Sequence, residues 1–153
     1  MKKILVKPVV FALIGLFAGV PVKAENTVTG TWATVADEGP DKGKVKSHVE
    51  IYEKDGAYFG KAVELMLKPQ DLLCEKCAGI LKNKPIVGMI FLRDMKSSGK
   101  RDKDFGDGYA GGTIMDPDNG KTYKCKLWVK GDVLTVRGYI GFFYRTQRWL
   151  RVK

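Results

Sequence analysis

The segment "VTGTWAT" (28–34) decides the fold, because it puts a Gly-x-Trp motif in the first β-prone stretch after an apolar leader. By alternation along a strand, Trp32 shares a face with Val28 and Gly30. In an even-stranded meander the first strand begins at the end where the last strand finishes, and the last β-prone segment ends in "RWLRV" (148–152). We therefore predict that Trp32 closes one end of a barrel, beneath an arginine of the final strand.

Two arginines compete for this position. Arg151 is the first candidate because it shares its strand parity with Trp149 and Gln147, and Arg148 is the second. A guanidinium over an indole adds a cation–π attraction of about 1 kcal/mol or more when it is desolvated. Gly-x-Trp alone is a weak motif, so direct contact of Trp32 with a ligand is the alternative to a structural plug.

Turn signals divide the rest of the chain into short segments rich in β-branched and aromatic residues. The turn signals are "DEGPDKG" (37–43), "KDG" (54–56), "KSSGKRDKDFGDG" (96–108), "DPDNG" (116–120) and "KGD" (130–132). The β-prone segments are "TVTGTWATV", "HVEIY", "AYFGKAVEL", "PIVGMIFL", "GTIMD", "TYKCKLWV", "VLTVRGYI" and "YRTQRWLRV". No amphipathic helix is evident to cover a sheet. The sequence therefore predicts an all-β fold, an eight-stranded antiparallel up-and-down barrel.

Alternation also predicts which side chains face the lumen. The inward set has apolar walls with a single phenol and no charge, and it comprises Val49, Ile51, Tyr123, Leu127, Leu134 and Val136. Such walls suit a small apolar or amphipathic molecule held by burial. A charged head would sit at the open mouth, which we expect near loops 67–84 and 96–108. The cations expected there, which favour an anionic, fatty-acid-like head, are Lys68, Lys82, Lys84, Lys100, Arg101 and Lys103.

The first 24 residues have the three parts of a secretory signal. They are the basic "MKKILVK" (1–7), the uncharged "PVVFALIGLFAGV" (8–20) and the "VKA" (22–24) that precedes an expected cleavage after Ala24. The uncharged run is too short to span a bilayer as a helix, and an uncleaved anchor is the alternative. We expect a periplasmic or secreted protein that is not an integral membrane protein, with residues 25–153 forming one domain.

The charge of the chain suggests one further class of partner. The leader holds four of the 27 Lys and Arg and none of the 17 Asp and Glu, which leaves +6 on residues 25–153. Because the lysines are interspersed with acids, solubility explains this charge better than a dedicated partner does. An anionic surface of the cell envelope is the alternative partner, and export argues against nucleic acid.

The motif "CEKC" (74–77) admits three interpretations. A redox pair belongs at a strand-to-helix junction of an α/β fold, which this chain lacks. A zinc site would need Cys125 and His48 as further ligands, but alternation sends those two to opposite faces. A disulfide between Cys74 and Cys77 is therefore favoured, with Cys125 a buried free thiol.

The motifs together resemble known protein families. Gly30-Thr31-Trp32, a strand meander and a late arginine resemble the lipocalin or calycin pattern. A closer resemblance, over nearly all of residues 25–153, is to a bacterial family of secreted proteins catalogued as domain of unknown function 2147. It is carried by "GTWAT" (30–34), "CEKCAGILKNKPIVGM" (74–89), "GGTIMDPDNGKTYKCKL" (111–127), "VRGYIG" (136–141) and "RTQRW" (145–149). This resemblance implies a lipocalin-like barrel and export, and it implies no activity. The sequence departs from it at residues 142–144, which are bulkier than expected.

Three functions follow in order of preference. The first is binding of a small apolar or anionic amphipathic ligand in the lumen. The second is an envelope-surface module for anionic lipid or glycan with a packed core, and the third is a thiol–disulfide protein using Cys74 and Cys77. His48 is the single histidine and is predicted to face outward, so no catalytic set can be built around it. We predict no catalytic residue, cofactor or metal.

Overall fold

The computed structural model describes residues 26–153, and the predicted leader with its cleavage after Ala24 lies outside the described residues. The described chain is built of antiparallel strands and one short 3₁₀ helix, Gly79–Leu81. The strands are β1 (Gly30–Val35), β2 (Val45–Lys54), β3 (Ala57–Leu65), β4 (Ile90–Asp102), β5 (Gly106–Ala110), β6 (Thr113–Asp116), β7 (Lys121–Lys130), β8 (Val133–Ile140) and β9 (Phe143–Arg151).

The sheet closes on itself. Apart from β5 and β6, each strand pairs with its neighbours in the chain, β9 pairs back to β1, and β3 pairs with β4 across the long connection 66–89. β5 and β6 both pair with β4 and β7, so they act as one strand interrupted at Gly111 and Gly112. The ring therefore has eight positions, which confirms the predicted eight-stranded antiparallel barrel.

Two predicted segment boundaries were wrong. The stretch 96–108 is not a loop, because β4 continues to Asp102 and turns back into β5 through residues 103–105. Arg101 and Asp107 form an ion pair across this hairpin. Residues 96–101 are exposed, so both faces of the strand meet water and the sequence carries no apolar alternation. In "PIVGMIFL" (85–92), only the part from Ile90 onward is strand, and the rest belongs to the connection 66–89.

One end of the barrel is closed by Trp32, which is fully buried. Its indole Nε1–H donates to the Val28 carbonyl at 2.9 Å, and the Arg151 guanidinium lies 4.2 Å from its ring centroid. The two residues are directly paired between β1 and β9. Arg151, and not Arg148, is therefore the arginine that covers the tryptophan.

Gly30 of the Gly-x-Trp motif makes room for this contact. Its φ is +124°, and a Cβ built there would stand 2.9 Å from Nη1 of Arg151. The guanidinium is fixed in that place because it donates to the carbonyls of Thr29, at 3.0 Å, and Thr27, at 2.7 Å. Gly30 therefore leaves the space that the Arg151 guanidinium occupies, and Trp32 provides the ring against which the guanidinium packs.

Candidate functional site

A cavity of about 750 Å³ occupies the other half of the barrel and opens at its end. This open end is formed by the β1–β2 loop, the connection 66–89, the β6–β7 turn and the β8–β9 hairpin. The apolar wall residues come from five strands and the connection, and they include Ala62, Leu65, Ile86, Phe91, Ile114, Met115, Val136 and Trp149. The barrel is thus divided into a packed half and a hollow half.

Trp149 and Phe91 form an aromatic pair deep in the cavity. Their ring centroids are 6.3 Å apart at an interplanar angle of 57°, and both side chains are buried. The Trp149 indole Nε1–H donates to Oε1 of Gln147 at 3.3 Å. Val136 stands beside them, since β8 pairs Val136 with Gln147. The deepest part of the cavity is therefore apolar, with one amide held by the tryptophan.

One side of the mouth is an ion-pair cluster. Arg145 donates to Asp37, through its Nε–H at 2.9 Å, and to Oε1 of Glu38 at 2.9 Å. The hydrogen bond from Arg145 holds the pKa of Asp37 below its usual range. The contact ties β9 to the β1–β2 loop, so it fixes the width of the mouth on that side.

The opposite side is organised around Asp118 in the β6–β7 turn. Its carboxylate accepts from Lys68 at 2.7 Å and from Lys46 at 3.0 Å, and its carbonyl accepts from Lys76 at 2.9 Å. Burial raises the pKa of Asp118, but the hydrogen bonds from the two lysines outweigh it and the net shift is downward. Asp118 therefore stays ionised and joins β2, the connection 66–89 and the turn.

A disulfide between Cys74 and Cys77 strengthens the same rim. Both cysteines are buried. Sγ of Cys77 lies 3.7 Å from Sδ of Met115, a cavity-wall residue, and Sγ of Cys74 lies 3.6 Å from the Pro117 carbonyl oxygen. The disulfide therefore holds the connection 66–89 in contact with the end of β6 and with the β6–β7 turn.

Two of the six residues in the predicted ligand-binding set line the cavity, and four do not. Val136 and Tyr123 line the cavity, and the Tyr123 hydroxyl accepts from Asn119 at the mouth at 3.0 Å. The remaining four members are buried in the packed core and do not line the cavity: Val49, Ile51, Leu127 and Leu134.

The predicted cations of the mouth need correction. Of the six, only Lys68 lines the cavity. Lys100, Arg101 and Lys103 belong to the β4–β5 hairpin, which lies at the closed end because β4 runs away from the mouth. Lys46 and Arg145 line the cavity instead, together with more carboxylates than cations: Asp37, Glu38, Asp41, Asp116 and Asp118.

Several cavity residues were missed by the sequence analysis. Trp149 carried a signal, because it shares inward parity with Gln147 and Arg151 on β9. Leu65 and Ala62 lie on a strand whose alternation does not resolve, and Ile86 lies in the connection outside any strand. Period-two alternation cannot find residues of the last kind.

Cys125 and His48 lie outside the cavity. Cys125 is buried, and burial raises the pKa of its thiol to about 12. His48 contacts Glu64 through Nδ1 at 2.9 Å on the outer surface. Within residues 26–153, no three His, Cys, Asp or Glu side chains are grouped to hold a metal ion. The same residues include no helix with the length and apolar character that a membrane span requires.

A closed eight-stranded antiparallel barrel with a packed end and an open, apolar-walled cavity is a lipocalin-like protein. The chain belongs to the family described as "Uncharacterized protein conserved in bacteria (DUF2147)", whose family model matches residues 30–151.

Among solved structures, the barrel is similar to one described as "Protein HP1028 from the human pathogen Helicobacter pylori belongs to the lipocalin family". The TM-score is 0.69 at 22% identity, over 84% of this chain and 85% of that chain. At this identity the likeness shows the fold. Comparison with curated proteins finds none that matches.

Proposed function

We propose that the protein binds a small molecule with an apolar body in the open half of its barrel. The observation that carries the proposal is the cavity of about 750 Å³, which is within the usual size range of small-molecule sites. Its apolar depth and polar mouth match a molecule that is apolar at one end and polar at the other.

The apolar body supplies the affinity. Each buried methylene contributes about 0.8 kcal/mol, so about ten of them give roughly 8 kcal/mol before the costs of binding. A net free energy of that size would correspond to a micromolar dissociation constant, so a chain longer than about ten methylenes is needed to reach micromolar affinity. Trp149, Phe91 and Val136 form the surface against which such a body would pack.

The head group is secondary in this proposal. The anionic head favoured by the sequence loses most of its predicted partners, because five of the six predicted cations do not line the cavity. Acids also outnumber cations among the residues that do line it. Lys46 and Lys68 are engaged by Asp118. An anionic head would therefore have to displace Asp118 to reach them. Asp118→Asn removes that competition and should strengthen binding of a fatty acid relative to the fatty alcohol of equal length.

The test is titration with an environment-sensitive acyl probe, followed by displacement with saturated fatty acids and alcohols of increasing length. Affinity should rise about fourfold per methylene, the equivalent of 0.8 kcal/mol, until the cavity is full. Val136→Trp narrows the cavity and should weaken binding at least roughly tenfold. Val133→Trp is the matched control, because Val133 lies on the same strand at the closed end and does not line the cavity.

Equal affinities for all chain lengths, or equal weakening by Val136→Trp and Val133→Trp, would show that the probe does not occupy the cavity. A folded protein that takes up no probe at micromolar concentration would refute the proposal outright.

A further inference from the structure

The β8–β9 hairpin carries an exposed apolar tip at the open end of the barrel. Within residues 140–144, here called the hairpin tip, the side chains of Ile140, Phe142, Phe143 and Tyr144 are 54%, 101%, 82% and 61% exposed. Gly141, at φ +55°, occupies the first position of the two-residue turn. The turn requires that glycine, but nothing in the turn geometry requires Phe142 beside it.

The outer surface next to the tip is basic. β7, β8 and β9 contain no Asp or Glu. Their side chains on the outer side of the sheet include four cations, here called the basic face: Lys124, Lys126, Arg137 and Arg148. Among the residues that the structure describes, none of these four forms an ion pair with a carboxylate. The positive charge is therefore available to a partner.

Aromatic rings connect the basic face to the tip. The Arg137 guanidinium lies 4.5 Å from the ring centroid of Tyr144 and 5.2 Å from that of Trp128. Lys126 Nζ lies 5.6 Å from the Tyr139 ring, which in turn contacts the Tyr144 ring at 5.8 Å. The face and the tip thus form one continuous surface, with cations beside amphipathic rings and an apolar end.

We propose that this surface docks on an anionic phospholipid bilayer, with the hairpin tip inserted among the lipids and the basic face against the headgroups. Apolar side chains next to Lys and Arg are the composition of interfacial membrane anchors, and amphipathic rings are typical of the headgroup level. Because the tip borders the cavity mouth, the docked barrel presents its open end to the lipid. Ile140, Phe143 and Tyr144 also line the cavity at its mouth, whereas Phe142 does not, so Phe142 is the tip residue that reports on docking alone.

Two other occupants fit the surface less well. A second copy of the chain would bring two basic faces of the same sign together, which is unfavourable. An anionic glycan would match the cations, but Phe142 and Ile140 have no polar atom to offer its hydroxyl groups. A bilayer is therefore the partner that fits both the exposed apolar tip and the cations that form no ion pair with a carboxylate.

The first experiment places a reporter at the tip. Phe142→Trp, in purified protein whose amino terminus is defined by mass spectrometry, is mixed with vesicles of equal phosphatidylglycerol and phosphatidylcholine. We expect a blue shift of the added tryptophan emission and quenching by brominated lipid. Lys54→Trp, at the closed end of β2, is the matched control. After subtraction of the wild-type signal, to which Trp128 beside Arg137 contributes, it should show neither. Identical responses of the two variants would overturn the proposal.

The second experiment separates the tip from the charges by measuring partition into the same vesicles. Phe142→Ser with Phe143→Ser should reduce partition at least roughly tenfold, because burial of the rings is lost. Each Lys near an anionic surface is worth roughly fivefold in partition, so Lys124→Gln with Lys126→Gln should cost roughly 30-fold. The charge-matched control, Lys54→Gln with Lys61→Gln, should cost little. All positions are on the surface, and circular dichroism checks that each variant is folded.

The alternative occupants give distinct results. Binding to dextran sulfate without binding to the vesicles would overturn the bilayer in favour of a glycan. A concentration-dependent dimer that disappears in the double Ser variant, without vesicle binding by the wild type, would overturn it in favour of a second copy. Loss of acyl-probe uptake with intact vesicle binding would contradict only the proposed function.

Discussion

Trp32 and Arg151 offer the sharpest test of how the barrel is closed. Trp32→Ala removes a fully buried side chain and its hydrogen bond to the Val28 carbonyl. Large-to-small core substitutions of this kind cost about 3–5 kcal/mol. With a urea slope of about 2 kcal/mol per molar, the unfolding midpoint should fall by roughly 2 M. Trp32→Phe is the milder variant if the alanine protein does not fold.

The interaction of the two residues is measured by a double-mutant cycle. Arg151→Ala should cost less than Trp32→Ala, and the double variant should be less destabilised than the sum by about 1 kcal/mol, because the guanidinium lies 4.2 Å from the ring centroid. Arg148→Ala is the control, since Arg148 is exposed on the same strand, and its effect should add to that of Trp32→Ala. Strict additivity for Arg151 would refute the reasoning.

Four smaller predictions concern single features. Gly30→Ala should destabilise by about 1–3 kcal/mol in urea unfolding, because its φ is +124° and the arginine occupies the space of a Cβ. Replacing Cys74 and Cys77 with Ser should cost about 2 kcal/mol on the chain-entropy model, and a larger loss of probe binding than of stability would mark the rim as functional. Cys125 should react with a thiol reagent at pH 8 only on unfolding, because burial raises its pKa to about 12. Arg145 lowers the pKa of Asp37, so the ionised carboxylate stabilises the folded protein above its unfolded pKa of about 3.9. That stabilisation is lost as the pH falls through the lower folded pKa. The free energy of unfolding of Asp37→Asn should therefore be lower than that of wild type at pH 6, and the two values should converge near pH 2.

Strand order and facing were accessible from the sequence where one side of a strand meets water and the other meets the core. β7 is such a strand, and its inward residues Cys125, Leu127 and Val129 are buried. The prediction failed on β4 and β5, where the hairpin between Lys96 and Asp107 is largely exposed and polar residues occupy both faces. A strand with both faces exposed to water has no reason to alternate apolar and polar residues, so the sequence pattern does not reveal it.

The sequence does not show which part of the lumen is filled by side chains and which part is left as a cavity. Leu127 and Val136 are apolar, inward, direct partners between β7 and β8 and buried in the same core cluster, yet only Val136 lines the cavity. The difference depends on which side chains from other strands pack against each residue, and alternation along one strand does not encode that. The ion pair of Arg145 with Asp37 was equally hidden, because the two residues are 108 positions apart.

Native mass spectrometry of the protein purified from its native cells tests the central claim most directly. The claim is that the open half of the barrel is a binding site for a small molecule with an apolar body. Wild-type protein should carry a bound small molecule that Val136→Trp loses and Val133→Trp retains. The same adduct on all three proteins, or wild-type protein that is free of any adduct and takes up no acyl chain when one is added, would contradict the account.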